Sequence, residues 1–364
     1  MGELAQMDEF VLPRMVAVND HRRRYPYGMA VLSQMDQEAR RDYRLAAAAI
    51  NHANVDMVVI QHEFGIYGGE AGEYILDLAE SLTVPFIVIL HTVLLAPTIK
   101  QRSIVERLAA LAAATVTMAR NTERDLIEAY HLDPSRLSVI PHGVPSLSTD
   151  TRDTLKRRMG LEGRQILSTF GFLSPGKGIE YAVAAMPRVL ERHPEAHYVV
   201  LGETHPQVRA AHGETYRLRL LDLARRLHVQ ERVTFVNRFL SQTEIVESLI
   251  ASDLCLTPYL APEQAVSGTL AYNVGYGRAV ISTPYRYATE LLDGGRGAFT
   301  GFRDAGSLGT RVGELLANPA ARQEMEARAW ALGRTMRWGA VAARYAALIR
   351  RALTSGPRRL EAVR

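Results

Sequence analysis

Short apolar runs alternate with stretches of helical periodicity along almost the whole chain. In the first half the runs are Met15–Val18, Met29–Leu32, Val55–Gln61, Pro85–His91, Ala114–Met118 and Leu137–Ile140, with helical patterns near 37–52, 70–82, 99–112 and 121–130. In the second half they are Ile166–Gly171, His197–Gly202, Val233–Arg238, Asp253–Pro258 and Ala279–Thr283, with helices near 178–192, 214–227, 242–251, 268–276 and 305–316. Runs that are apolar throughout, rather than at every second position, predict strands buried on both faces. Their alternation with helices predicts an α/β fold of parallel sheets.

The pattern breaks at Pro141-His142-Gly143-Val144-Pro145 and the polar stretch 146–153. This predicts two doubly wound, Rossmann-like domains facing one another across a cleft. Residues 1–143 form the N-terminal domain and residues 144–330 the C-terminal one. Residues 331–364 add a C-terminal helix, then a basic tail. In that helix Trp338, Val341, Tyr345 and Leu348 recur at helical spacing, a stripe expected to pack back towards the N-terminal domain. Ligands of such sheets bind outside the carboxyl ends of the strands, so the cleft is the expected site.

The first domain opens unusually. Its first candidate strand, Val11–Val18, contains Pro13 and runs into Asn19 and Asp20 rather than a Gly-rich turn. A doubly wound domain normally places its first strand in the middle of the sheet. The expectation is that a β-α unit of roughly 30 residues is missing, leaving a gap between neighbouring strands.

Composition narrows the class. Hydrophobic residues make up 47% and charged residues 23%, as in a soluble globular protein. The longest apolar run, Val84–Pro97, is broken by His91 and Thr92 and is too short to span a bilayer. Residues 1–10 carry acids and no basic segment, so no signal peptide is read and a cytoplasmic location is expected. The single cysteine, Cys255, excludes an internal disulfide and reads as a core residue. The net charge is +4, and the only lysines are Lys100, Lys156 and Lys177. Arginine clusters at 22–24, 225–226, 350–351 and 358–359 read as solvated helix faces; peripheral contact with anionic membrane or a phosphorylated substrate is the alternative. Without aromatic interleaving they predict no nucleic-acid partner.

Two turns carry candidate chemistry. Ser267-Gly268-Thr269 opens a short helix and offers backbone N–H groups at its positive end, a setting for a diphosphate or simply an ordinary N-cap. The turn after Ile166–Gly171 holds Gly171, Gly176 and Gly178, which allow close backbone approach, and Lys177, a cation suited to phosphate. Together they form a two-sided diphosphate cradle. Tyr285 and Tyr287 read as surface or cleft-lining residues, and His142 as a hinge residue.

From residue 137 to 300 the chain resembles the donor half of a family 4 glycosyltransferase of GT-B fold. The resemblance rests on GFLSPGKGIEYAVAAMP, VVLGETHP, VTFVNRFLSQTEIVESLIASDLCLTPYLAPEQ, SGTLAYNVGYGRAVISTP and TELLDGGRG, in that family's order and spacing. Ile87–Thr92 resembles the strand end that presents a histidine, here His91, to the donor sugar; Gln61–Gly69 resembles a branch associated with mannose. The resemblance implies retaining transfer of a hexosyl group from a nucleotide diphosphate sugar of GDP-mannose or UDP-glucose type to a carbohydrate or other hydroxyl acceptor. It implies neither metal nor cofactor, in keeping with the lack of an Asp-x-Asp motif. Lys177, His91 and Glu263 are then the expected catalytic residues. Gly171, Phe172, Gly176, Arg238, Gln264, Ser267, Gly268, Thr269 and Tyr272 are expected to bind the donor, and His62 and Glu63 to lie on the acceptor side.

This chain departs from the family pattern in two places. Phe172 stands where an arginine is usual, with Arg238 as a partial replacement. Gln264 and Tyr272 stand where two glutamates are usual, with Glu263 one residue from the first. The alternative these departures support is a catalytically degenerate GT-B protein that binds a sugar nucleotide or a partner without turnover. An epimerase or a phosphorylase of the same fold is a further rival.

Overall fold

The apolar runs form parallel strands. The computed structural model describes residues 2–147 and 150–354, and every strand pairing among them is parallel. The chain divides into two compact units: one holds Met1–Pro141 and the chain from Gly339 onward, the other His142–Trp338.

In the first unit β1 (Met15–Asn19) pairs with β2 (Val31–Asp36), and β3 (Val58–His62), β4 (Phe86–Leu90), β5 (Ala114–Thr117) and β6 (Leu137–Val139) form a four-stranded sheet in that order. One apolar core serves both sheets, joining Met35 of β2 to Ile60 of β3, Val88 and Leu90 of β4, and Ile104, Leu108 and Leu126 of the covering helices. β1 and β3 each have one hydrogen-bonded neighbour, so the unit carries two sheets around one core. All five residues of β4 are buried, whereas Val58 and Val59 of the edge strand β3 are half-buried. β2 starts two residues later than the apolar run Met29–Leu32. The Val31 N–H bonds the Gly28 carbonyl and closes a turn that leaves Met29 99% exposed. The helix Trp338–Thr354 buries Val341, Ala342, Ala346, Leu348, Ile349 and Ala352. Trp338 falls outside this stripe and belongs to the second unit, where its indole fills the space beside Gly143.

The second unit contains β7 (Gln165–Phe170), β8 (Ala196–Leu201), β9 (Val233–Val236), β10 (Leu254–Thr257), β11 (Val280–Ser282) and β12 (Ala298–Phe299), in the spatial order β9-β8-β7-β10-β11-β12. This is the doubly wound order of dinucleotide-binding sheets; the winding reverses between β7 and β10, which opens a crevice at their carboxyl ends. The helix Ile179–Leu190 buries Ile179, Ala182, Val183, Met186 and Val189 at helical spacing, in one core with Leu308 and Val312 of the helix Ala305–Ala317. Four helices that the apolar pattern does not predict, Arg152–Arg158, Pro206–His212, Arg286–Leu291 and Pro319–Gly333, lie in polar or alanine-rich sequence.

β7 and β10 are pinned at their start by Asp253. Its carboxylate accepts the Ile166 N–H and the Lys156 ammonium, each at 2.6 Å, while the Asp253 N–H bonds the Ile166 carbonyl at 2.8 Å. Removing one member of a buried ion pair strands the other, at about 3–5 kcal/mol. Lys156→Met is therefore expected to destabilise the second unit by about 3 kcal/mol or more in denaturant-induced unfolding; an unchanged midpoint would refute this role.

Candidate functional site at the strand switch point

The crevice at the carboxyl ends of β7 and β10 is built from backbone outward. Gly178 has φ +63°, and a Cβ there would lie 2.0 Å from the Pro258 carbonyl oxygen. The turn after β7 therefore rests directly on the segment after β10, and the Leu260 N–H reaches the Gly176 carbonyl at 3.0 Å. Lys177 at the tip lays its Nζ 4.0 Å from the centre of the Tyr259 ring. Tyr259 is wholly buried and stacks at 5.2 Å on Tyr285. Tyr285 and Tyr287 are 0% and 2% exposed, which corrects their reading as surface or cleft-lining residues: the short helix Arg286–Leu291 turns both rings inward.

The three lysines separate by partner. Lys100 pairs with Glu73 and Lys156 with Asp253, but Lys177 has no carboxylate partner among the described residues. A cation over an aromatic face is worth about 0.5–2 kcal/mol. That orients the ammonium without neutralising it, so its charge stays available to an anion.

The second wall is the helix Gly268–Gly275. Ser267 caps it, its hydroxyl accepting the Leu270 N–H at 3.1 Å, and the Thr269 hydroxyl donates to the Phe170 carbonyl at 3.3 Å. The helix start is thus fixed against the end of β7. Its first-turn N–H groups have no intrahelical acceptor and carry the positive end of the dipole. Tyr272, one turn on, packs its ring 5.9 Å from Phe170 and 6.4 Å from His142. Burial raises the Tyr272 pKa, so the phenol stays neutral where the family resemblance places a carboxylate.

The structure thus gathers Gly171, Gly176, Lys177, Ser267, Gly268, Thr269 and Tyr272 around one crevice. Others stand apart from it or are engaged elsewhere. Arg238 follows β9, two strands from β7, and its guanidinium bonds Glu244 at 2.6 Å. Phe172 is 38% exposed and meets the His205 ring at 5.6 Å. Glu263 is exposed, and the Gln264 amide donates to the Val266 carbonyl. Sequence reasoning missed Tyr259 as the seat of Lys177; 82 positions apart, the two share no local pattern.

In the first unit His62 ends β3, and His91 follows β4. The His91 Nε2 is 2.7 Å from the Gln61 side-chain oxygen, and burial lowers its pKa. Glu63 is exposed. His62 is 0% exposed between Phe64 and Tyr67, with neither ring nitrogen hydrogen-bonded. Burial, with a smaller contribution from His91, lowers its pKa to about 4. A group protonated near pH 6.5 when unfolded but near 4 when folded contributes its full stability above the higher value. That contribution is lost as pH falls from 6.5 to 4, by about 3 kcal/mol. His62→Phe is expected to flatten the stability profile over that window relative to wild type; equal acid losses in both proteins would contradict the assignment.

Residues 164–318 match the family model Glycosyl transferases group 1. Among curated relatives, D-inositol 3-phosphate glycosyltransferase of Corynebacterium efficiens is 26% identical over 268 residues, covering 68% of this chain and 60% of that protein. The chain therefore spans about three fifths of this relative's length. Sucrose-phosphate synthase of Thermosynechococcus elongatus superimposes with a TM-score of 0.75 at 15% identity, over 94% of this chain and 89% of the other. Anabaena Alr3699/HepE, solved with UDP and glucose, gives 0.70 at 15% identity over 88% and 85%. The fold is mixed α/β with parallel sheets, as the apolar pattern predicts, and GT-B, as the resemblance implies.

Proposed function

We propose that the protein transfers a glycosyl group from a nucleotide diphosphate sugar to a hydroxyl acceptor. The observation that carries this is the unpaired Lys177 ammonium and the free N-terminus of the helix Gly268–Gly275 on two sides of one crevice, at the carboxyl end of β7. Both are positive and aimed by packing. As the bond from the anomeric carbon to the diphosphate oxygen breaks, negative charge grows on that oxygen, where fixed positive groups stabilise the transition state more than the ground state. The acceptor oxygen forms the new bond to the anomeric carbon, and its proton passes to the departing diphosphate. This same-face route retains the anomeric configuration and asks for neither a side-chain nucleophile nor a metal. The match over residues 164–318 covers this crevice. A hexosyl donor of GDP-mannose or UDP-glucose type fits the reading, with His91 orienting the acceptor hydroxyl.

The second reading, sugar-nucleotide binding without turnover, is favoured by the neutral Tyr272 phenol and by the engagement of Arg238 with Glu244. Measuring nucleotide released from a panel of nucleotide sugars, beside calorimetry with GDP and UDP, separates the two. Under the transferase reading Lys177→Ala loses about 100-fold or more in turnover with an unchanged melting temperature. Full activity in that variant would remove Lys177 from the mechanism, and wild-type binding without turnover would establish the second reading.

A further inference from the structure

We propose that the loop joining β1 to β2 in the first unit is a binding site for a phosphate monoester. The loop carries Arg22, Arg23 and Arg24 in succession. Arg22 has φ +59°, a left-handed conformation that costs a non-glycine residue about 1 kcal/mol or more. It is held there by its own N–H on the Asp36 carboxylate at 2.8 Å and by the turn bond from the Arg23 N–H to the Asp20 carbonyl at 2.9 Å. The turn brings three consecutive arginines to one loop beside the end of β2. Beneath them Asn19, 3% exposed, donates to the Gln34 side chain at 2.8 Å and accepts from the Tyr27 hydroxyl at 2.9 Å.

Two cavities meet at Arg24. One, of about 330 Å³, is lined by Arg24, Tyr27, Ser33 and Gln34 with no carboxylate in its wall. The other, of about 230 Å³, is lined by all three arginines with Asn19, Asp36 and Asp42. The nearby carboxylates are already engaged. Asp36 accepts from the Arg22 and Glu38 N–H groups and lies 3.0 Å from the His21 ring nitrogen. Asp42 accepts the Asp36 N–H and faces Arg41; Asp20 accepts the Tyr25 hydroxyl and lies 3.8 Å from Arg23. Among the described residues the Arg22 and Arg24 guanidiniums have no such partner. A phosphate monoester, with its two negative charges and three oxygens, matches the planar donor fork of Arg24 with hydroxyl and amide groups beside it.

The second cavity lies at the end of β2, close in sequence to bonds that reach the loop after β3. Gln37, just past β2, donates its side-chain amide to the Gly65 carbonyl at 3.0 Å, and its own carbonyl accepts the Tyr43 hydroxyl, which accepts the Gly68 N–H. The end of β2 is thereby tied to the loop that follows β3 and contains Glu63. The step from site to acceptor, which rests on the transferase reading, makes the acceptor a phosphorylated one.

Titration of the full chain with inorganic phosphate by calorimetry, in wild type, Arg24→Ala and Arg24→Lys, tests the site. Arg24→Ala is expected to weaken this binding about tenfold or more, with Arg24→Lys between it and wild type. Arg124→Ala, on an exposed helix face, is expected to keep it. Equal binding by wild type and Arg24→Ala, or an equal loss in Arg124→Ala, overturns the proposal. Vesicles containing phosphatidic acid identify the source of the phosphate. Vesicle binding that inorganic phosphate competes away and Arg24→Ala loses assigns the site to a lipid headgroup. Phosphate binding without vesicle binding assigns it to a soluble ester. Vesicle binding that survives Arg24→Ala, with no phosphate binding, overturns the site. GDP and UDP titrations of the same samples keep the two readings apart: nucleotide binding without an Arg24-dependent phosphate site overturns this inference alone, and the reverse overturns only the transferase reading.

Discussion

The second unit depends on the reversal of winding between β7 and β10, and that reversal is held by one buried carboxylate. β7 shares six registered pairs with β8 on one side, but only two with β10 on the other, Leu254 with Leu167 and Cys255 with Ser168. Asp253 adds what the short ladder lacks. It bonds the backbone of β7 and takes the ammonium of Lys156 from the helix Arg152–Arg158. Arg152 from that helix also bonds Glu326, so the anchor extends to the helix Pro319–Gly333. With the strand starts fixed, the carboxyl ends diverge at a set place, and the turn after β7 meets the segment after β10 there. The crevice follows from the sheet order, and its chemistry from the residues that the two turns carry.

A cradle for a diphosphate needs positive charge that is aimed but not neutralised. A carboxylate beside Lys177 would orient the ammonium yet compete with the ligand, and near a protein surface such a pair at contact distance is worth several kcal/mol before desolvation. The Tyr259 face orients the same ammonium through a weaker attraction and leaves its net charge intact. Burial of Tyr259 against Tyr285 keeps that ring in place. Two stacked, buried tyrosines, Tyr259 and Tyr285, therefore stand behind the ammonium at the end of β10.

The parallel strands, the Gly-Lys-Gly turn and the Ser267 cap were legible because each has a local signature: continuous apolar runs, glycines in a turn, a small polar residue before a helix. The helices in polar or alanine-rich sequence were not, since their burial comes from tertiary contact rather than from a periodic stripe. The partner of Arg238 is hidden in sequence for a related reason: the Glu244 that pairs with it belongs to the capping box of the next helix. The strained Arg22 turn likewise gives no sequence signal, because its conformation is enforced by Asp36, 14 positions away.

Tyr272 brings these considerations to one place. A carboxylate at that position would stand one turn inside the helix whose N-terminus faces the crevice. A negative charge there would oppose any anion held at that N-terminus, because like charges repel more strongly inside a protein than in water. The neutral phenol removes that repulsion and gives up the two-oxygen acceptor that a sugar hydroxyl pair would use. Packed between His142 and Phe170, it offers an apolar ring face instead. On the transferase reading, such a face suits a flat or apolar group better than a pair of hydroxyls.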